Sequence, residues 1–248
     1  KSQILGRASP TIVNTAFNSI QMWDGRKASL EDQATGPLEA DVEMHTDIEF
    51  LISWLKSSEI YRADFERAYP SEGVNVKTLA KAIASYERTI ISRTSPFDAW
   101  VEGDENAMSA AEISGFKLFV DPKKGNCEVC HSAPNFTDNG FHNIGLTLSL
   151  DENSDFGRYK IIPLKSLKGA FKTPTLRDIS YSAPYFHDGS SQTLEHVVDH
   201  YIEGWKGAEN LSQNIKPISL SKSEIENLTA FLNALSSPKE ALVLPDLP

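Results

Sequence analysis

The chain has two cysteines, Cys127 and Cys130, and His131 follows the second directly, so the sequence contains one Cys-x-x-Cys-His motif. Thiols at this spacing add to the two vinyl groups of one haem, and the next residue is then placed to ligate the iron. The motif therefore predicts a c-type haem that is attached at Cys127 and Cys130 and ligated by His131.

Two other uses of a cysteine pair have to be weighed against haem. A thioredoxin-like dithiol lies at a helix start after a strand in an α/β pattern, which the sequence lacks. A structural zinc site needs a second pair of ligands at matching spacing, and there is no second Cys-x-x-Cys. The haem interpretation is therefore favoured over both.

The net charge is −10, and this argues against nucleic acid as a partner, because phosphates require a basic face. The charge is compatible with a basic protein partner or with solubility alone. The sequence contains no run of eighteen apolar residues, so no membrane span is predicted.

Apolar residues recur at helical spacing along most of the chain. The pattern predicts helices over 53–68, 76–91 and 193–201, and capping boxes at Ser109–Glu112 and Ser221–Glu224 predict two further helix starts. No alternating strand pattern exceeds a few residues. The fold class is therefore predicted to be all-α, with cytochrome-c-like helical domains and long ordered loops around haem. The turn-rich segment 94–107 is interpreted as a link between domains 1–105 and 106–248, and the tail 238–248 as extended.

The second axial ligand of the iron is less clear from the residues themselves. Methionine often serves in electron carriers, but Met22, Met44 and Met108 all precede the haem motif. The downstream candidates are His142, His187, His196, His200 and Tyr201. On composition alone, each is better explained as a hydrogen-bonded histidine or a core tyrosine.

A series of further motifs resembles the bacterial di-haem cytochrome c peroxidase and MauG family, in the order of that family and over nearly the whole chain. The motifs are Trp23-Asp-Gly-Arg26, Leu30-Glu-Asp-Gln33, Gly36-Pro37, Glu43-Met44, Ser95-Pro-Phe-Asp98, Gly115-Phe-Lys-Leu-Phe119, Phe136-Thr-Asp138, Asn143-Ile-Gly145, Gly157-Arg158, Phe171-Lys-Thr-Pro-Thr-Leu-Arg177, Pro184-Tyr-Phe-His-Asp-Gly189 and Thr193-Leu194-Glu195. The resemblance implies two haems. The domain over 1–105 would be the distal part of the first, peroxide-reacting haem domain, and 106–248 would hold the second haem. We expect the first attachment motif in a segment before Lys1.

The resemblance also implies an axial role for Tyr201. Members that only transfer electrons place methionine at this position, whereas MauG places tyrosine there. A phenolate stabilises ferric and higher-valent iron. We therefore expect His131 and Tyr201 to ligate the iron of the second haem.

Other site residues follow from the resemblance. Gln33, Pro37 and Glu43 are expected to line the distal side of the first haem, with Glu43 as the acid–base group for peroxide cleavage. Trp23 is expected between the haems, where an indole can relay an electron hole. Arg177 and His187 are expected around the second haem, with Arg177 paired to a propionate.

A calcium ion between the haem domains is a family trait. Its backbone ligands would fall at Ser182 and Pro184. The usual side-chain ligand position is Ala8, with Asn14 close by, so the calcium prediction lacks its side-chain oxygen.

Three functions are compatible with these residues. The favoured one is a MauG-like enzyme that uses hydrogen peroxide to oxidise residues, tryptophan above all, of a partner protein through a high-valent di-haem state. The alternative is a peroxidase that reduces hydrogen peroxide to water with electrons from a small redox protein. A simple electron-transfer cytochrome fits less well, because Trp23, Gln33 and Glu43 have no role in a carrier. Since haem c is attached outside the cytoplasm, the expected location is the periplasm.

Overall fold

The computed structural model describes residues 5–239, and most of the regular structure in this range is helical. The helices are α1 (Leu30–Ala34), α2 (Gly36–Glu39), α3 (Ile48–Ser57), α4 (Glu59–Ala68), α5 (Val76–Glu87), α6 (Pro96–Val101), α7 (Ala110–Val120), α8 (Leu194–Asp199) and α9 (Lys222–Ala234). Two short strands, β1 (Phe141–His142) and β2 (Phe171–Lys172), form an antiparallel pair. Long loops with short 3₁₀ turns connect these elements, as predicted. The predicted extended tail lies almost entirely outside the described residues.

Side-chain caps fix the starts of several helices. The two predicted capping boxes are confirmed, because Ser109 and Glu112 bond reciprocally at the start of α7, and Ser221 and Glu224 do so at the start of α9. Two more boxes, at Asn75 and Ser95, begin α5 and α6. Each box satisfies backbone N–H groups that have no partner inside the helix.

The largest core cluster forms where α7 and α9 cross. Phe119 and Phe231 are almost completely buried and their rings lie 5.1 Å apart in an edge-to-face arrangement. The two helices approach closely at Gly115, where an added Cβ would lie 2.0 Å from the carbonyl oxygen of Asn227. This crossing forms one side of the haem-motif region, because Cys127 packs against the same cluster.

A second, smaller cluster joins α3, α4 and the start of α5 around Ile52, Leu55 and Val74. The helix predicted over 53–68 is in fact two helices, because Ser58 ends α3 in an extended conformation and caps α4. The helix predicted over 76–91 ends at Glu87. Tyr86, in the last turn of this helix, is 55% exposed and does not belong to its buried face.

The segment 94–107 is not the plain link that its composition suggested. It contains α6, and Phe97 of that helix is buried in the α7–α9 cluster, upstream of the predicted boundary at residue 106. The division into two domains stays a prediction. None of the helices within residues 5–239 is long and apolar enough to cross a bilayer.

Candidate haem site

The Cys-x-x-Cys-His segment forms a tight turn directly after α7. Cys127–Val129 is a single 3₁₀ turn, and the N–H groups of Cys130 and His131 both donate to the carbonyl of Cys127. Gly125 lets this turn lie against α7, since a Cβ there would be 2.6 Å from the carbonyl oxygen of Leu118. Both sulfur atoms and the histidine are therefore held on a rigid support.

The surroundings of Cys127 are unfavourable for a redox-active dithiol. Burial, together with the neighbouring Cys130, raises the pKa of the Cys127 thiol to about 12. A catalytic dithiol requires the opposite, a lowered pKa that produces thiolate at neutral pH. The Cys127–Cys130 pair is therefore suited to permanent thioether bonds.

A group of three side chains with metal-ligating atoms lies beside the motif, and the sequence did not predict it. Ligand atoms of Cys130, Asp138 and His142 all lie within 4.8 Å of one another. However, the imidazole of His142 is already hydrogen-bonded at both nitrogens, to Asp138 at 2.9 Å and to the hydroxyl of Ser212 at 3.0 Å. The group therefore supports the turn that carries Cys130, and His142 has no free nitrogen for a metal ion.

His131 is oriented as an iron ligand requires. Its Nδ1 lies 2.9 Å from the carbonyl oxygen of Phe136, which can only accept, so Nδ1 carries the proton and Nε2 is left to bind a metal. Burial lowers the pKa of His131 below its usual value, which keeps the imidazole neutral. A neutral ring with one anchored nitrogen is the usual form of a haem-ligating histidine.

The motif opens into a cavity of about 1150 Å³. This volume exceeds the range of about 300–1000 Å³ typical of small-molecule and cofactor sites. Cys127, Cys130 and His131 line it, and so do residues of the first half of the chain such as Trp23 and Leu30. The cavity is thus shared by the two parts of the molecule.

The candidates for the second axial ligand differ in whether they line the cavity. His142, His187 and Tyr201 line it, whereas His196 is exposed on the surface of α8. His200 turns away, because its Nε2 donates to the carbonyl of Ile144. His142 is engaged at both nitrogens as described, and the His187 ring is stacked 3.5 Å from that of Phe171. Among the methionines, Met22 lines the cavity, Met108 is buried in the core and Met44 is exposed.

Tyr201 lies in a single π-helical turn, His200–Gly204, that continues α8. The wider turn is closed by a hydrogen bond from the Trp205 indole to the Tyr201 carbonyl. Among residues 5–239, no group hydrogen-bonds to the Tyr201 hydroxyl, and burial together with the two cysteines raises its pKa. A buried tyrosine normally satisfies its hydroxyl, so this one is available to a ligand in the cavity.

The three residues predicted for the first haem pocket line the same cavity, and so does Trp23, which was predicted between the haems. Gln33 comes from α1, Pro37 from α2, and Glu43 from the turn after α2. The Trp23 indole donates to the carbonyl of Ala8 at 2.8 Å, and its ring meets His187 edge-on at 6.4 Å. Trp23 therefore stands where the first half of the chain contacts the second.

Arg177 is not placed as predicted. It does not line the cavity, since its guanidinium forms a 2.6 Å ion pair with Asp98 and donates to the carbonyl of Pro134. The hydrogen bonds from Arg177 and Ser95 outweigh the burial of Asp98 and hold the pKa of that carboxyl below its usual value. Arg177 thus already has a carboxylate partner, which α6 supplies, and its pairing with a propionate stays a prediction. His187, by contrast, does line the cavity.

The expected calcium ligands Ser182 and Pro184 also line the cavity. Ala8 lies beside them, with its N–H donating to the carbonyl of His187, but its methyl group offers no oxygen. Asn14, the substitute suggested by the sequence, is committed elsewhere, since its side chain bonds Asn135 and the N–H of Ser92. Asn14 is therefore not the missing side-chain ligand.

Glu87 and Lys172 are buried charged residues of the cavity wall to which sequence reasoning gave no role. Glu87 is spaced three and seven residues from the buried Ala84 and Ala80, so helical periodicity could have identified it as facing inward. Lys172 had only its position between Phe171 and Thr173 as a signal. Both are less than a tenth exposed.

The residues present fit a c-type haem. The two thiols are adjacent, His131 offers Nε2, a tyrosine hydroxyl without a partner among the described residues reaches the same cavity, and the cavity has sufficient volume.

Comparisons with known proteins agree with this geometry. The profile of the di-haem cytochrome c peroxidases matches residues 1–106. The methylamine utilization protein MauG of Methylophilus methylotrophus is 39% identical over 98% of this chain and 71% of its own length. The cytochrome c551 peroxidase of Nitrosomonas europaea is 33% identical over 97% of this chain and 68% of its own length.

The chain belongs to the di-haem cytochrome c peroxidase and MauG family. The crystal structure of a MauG-like protein associated with microbial copper homeostasis has the same fold, with a TM-score of 0.86 and 28% identity over 94% of this chain and 76% of that one. Like other members of the family, the protein is a haem-dependent oxidoreductase that acts with hydrogen peroxide.

Proposed function

We propose that this protein is a MauG-like di-haem enzyme that uses hydrogen peroxide to oxidise residues, tryptophan above all, of a partner protein. The observation that carries the proposal is Tyr201, whose hydroxyl has no hydrogen-bond partner among the described residues and which lines the cavity together with His131. A phenolate favours oxidised iron, and this suits a haem that shares an oxidising equivalent more than one that donates an electron.

The proposal includes a second haem next to the wall formed by Gln33, Pro37 and Glu43. When bound, the haems supply the redox chemistry with peroxide. Glu43 would take a proton from one peroxide oxygen and deliver it to the other. Gln33 would position the peroxide by hydrogen bonding, and Pro37 would keep this part of the wall free of a competing N–H donor. The location we propose is the periplasm.

Trp23 would carry the electron hole between the two haems. Its indole is fixed by the Ala8 carbonyl, and its own carbonyl accepts the N–H of Lys172 from β2. These two bonds hold the ring at the contact between the halves of the chain. A fixed ring requires little reorganisation when its charge changes, which is the condition for an effective relay.

A second candidate function is a peroxidase that takes electrons from a small redox protein. Relatives of this kind are 33% identical to the chain, and Met22, which also lines the cavity, would give a methionine-ligated haem. We also retain calcium at Ser182 and Pro184 as a proposal, with other ligands than Asn14.

The test is spectroscopic and uses Tyr201→Met. We expect the ferric protein to show a His–Tyr low-spin EPR signal, and one equivalent of hydrogen peroxide to produce a near-infrared band without prior reduction. The variant should lose both features and acquire a methionine–iron absorption band. Tyr181→Phe, at an exposed tyrosine of the same half, is the control and should behave as the wild type.

The opposite result is equally clear. If the wild type shows a methionine-type spectrum and reduces peroxide only after one-electron reduction with a small cytochrome c, the protein is an ordinary peroxidase. If Tyr201→Met leaves the ferric spectrum unchanged, Tyr201 is a core residue and not an axial ligand.

A further inference from the structure

Lys172 is a buried lysine to which the proposed reaction gives no role. It belongs to β2, where its N–H donates to the carbonyl of Trp23 at 2.8 Å and it pairs with Phe141 across the strands. The residue is 7% exposed and lines the cavity. Its position is therefore fixed by the backbone on both sides, and its side chain faces the space that holds the haem.

The other cations of the cavity wall have partners or lie in water. Arg7 forms ion pairs with Asp24 and Asp155, Arg26 pairs with Asp24, Lys160 pairs with Asp155, and Lys216 is exposed. Lys172 differs from all of them. Among the lysines and arginines of the cavity wall within residues 5–239, Lys172 is buried and has no carboxylate within ion-pair distance.

The hydrogen bonding of Lys172 is also incomplete. Its ammonium group donates to the carbonyl of Thr173 at 2.8 Å, which uses one of three N–H donors. Burial lowers the pKa of Lys172 to about 8, although the more distant Asp138 acts in the opposite direction. A buried charge is costly unless it is paired and hydrogen-bonded, so this position calls for an anion in the cavity.

A haem attached at Cys127 and Cys130 brings such an anion, because haem carries two propionate carboxylates. Lys172 lines the same cavity as Cys127, Cys130 and His131, so its ammonium group faces the space that this haem would occupy. Arg177, the other candidate, is already neutralised by Asp98. We propose that Lys172 is the residue that pairs with a propionate of the haem attached to this chain.

The pairing has a consequence for the redox equilibrium of that haem. With Lys172 charged, the propionate is neutralised. Without it, the uncompensated negative charge favours the ferric state. For unit charges about 10 Å apart at an effective dielectric of about 20, the ferric-to-ferrous equilibrium should change about tenfold, which is about 59 mV for one electron. The inference rests on the haem site and not on the choice between a MauG-like enzyme and a peroxidase.

The experiment measures the haem midpoint potential and the resonance Raman propionate bending band in the haem-loaded protein. Lys172→Gln should lower the potential of the haem at Cys127 and Cys130 and shift the bending band. Lys172→Arg, which keeps the charge, should restore both towards the wild type. Lys168→Gln is the matched control, because Lys168 also donates to a backbone carbonyl, that of Leu150, but lies outside the cavity wall.

An unchanged potential and an unchanged bending band in Lys172→Gln would overturn the proposal. So would an equal shift in the Lys168→Gln control. If the Lys172→Gln protein does not incorporate haem, the proposal is tested by comparing Lys172→Arg with Lys172→Met. The proposal stands only if the charged variant retains the wild-type bending band and the neutral variant does not. None of these outcomes depends on the spectrum expected from Tyr201, so the two proposals fail separately.

Discussion

At the scale of single residues, Glu43 and Glu87 reach the cavity from different surroundings. Glu43 is exposed in the turn after α2. Glu87 is 8% exposed, its Oε2 has no hydrogen-bond partner among the described residues, and burial raises its pKa. Glu43 is therefore open to the solvent, whereas the raised pKa of Glu87 suits that residue to holding a proton.

This difference leads to a prediction for Glu43→Gln. An amide cannot take the proton of the incoming peroxide, so the reaction with peroxide should slow by about 100-fold or more, the range of general acid–base catalysis. Stopped-flow absorbance after mixing with hydrogen peroxide measures the rate. Glu39→Gln, at an exposed position of α2 outside the cavity wall, is the control. An unchanged rate in Glu43→Gln would remove Glu43 from the mechanism.

The residues of the site were predicted unevenly from the sequence. The haem turn follows from one local motif, whereas Tyr201, Gln33, Pro37 and Glu43 were assigned through the family resemblance, and all of them line one cavity. The ion pair of Arg177 with Asp98 was not foreseen, because the two residues are 79 positions apart and no local pattern shows an ion pair of that span. Lys172 was overlooked for the same reason, since its burial depends on Trp23 and Phe141 from distant segments.

At the scale of elements, the crossing of α7 and α9 depends on one residue without a side chain. A methyl group at Gly115 would lie 2.0 Å from the Asn227 carbonyl oxygen and 2.7 Å from Cβ of Phe231. We expect Gly115→Ala to lower the free energy of unfolding by about 1–3 kcal/mol, the cost of overpacking, although alanine favours a helix. Denaturant unfolding measures the change.

The control for Gly115→Ala is Lys117→Ala, at an exposed position of the same helix. It should change the free energy of unfolding by less than about 0.5 kcal/mol. A Gly115→Ala protein as stable as the wild type would show that the helices can separate without loss.

The starts of α7 and α9 were predictable from the sequence, whereas the helix predicted from residue 53 begins at Ile48 and several helix ends were missed. A capping box spans four consecutive residues, so the starts of α7 and α9 can be predicted from the local sequence. The break at Ser58 and the π turn after α8 have no comparable signature. The π turn is stabilised by the Trp205 side chain and by packing, which a local pattern does not reveal.

At the scale of the whole molecule, Arg7 ties three separate segments together. One guanidinium nitrogen of Arg7 lies 2.7 Å from Oδ2 of Asp24, and another lies 2.8 Å from Oδ1 of Asp155. All three side chains are more than two-thirds buried. Burial alone would raise the pKa of Asp24, but the hydrogen bonds and charges of Arg7 and Arg26 lower it. Arg7 and the Gly157 N–H do the same for Asp155.

This network predicts how stability depends on pH. A carboxylate whose folded pKa is depressed contributes stability above its unfolded pKa of about 3.9, and this contribution is lost as the pH falls through the folded pKa. We expect Arg7→Gln to cost about 2–3 kcal/mol at pH 7. The difference from the wild type should shrink below about pH 4. Thermal unfolding at pH 7, 4 and 3 measures this, and a difference that stays constant would contradict it.

The crossing of α7 and α9 also has a consequence for the order of haem attachment and folding. About 100 residues separate the two helices, and the haem turn follows the first of them directly. Contacts between such distant segments form late, because the intervening loop must first be ordered. Until those contacts form, the two thiols are not yet enclosed by α9 and stay accessible for haem attachment. A covalently bound porphyrin would then provide an apolar surface against which α9 packs.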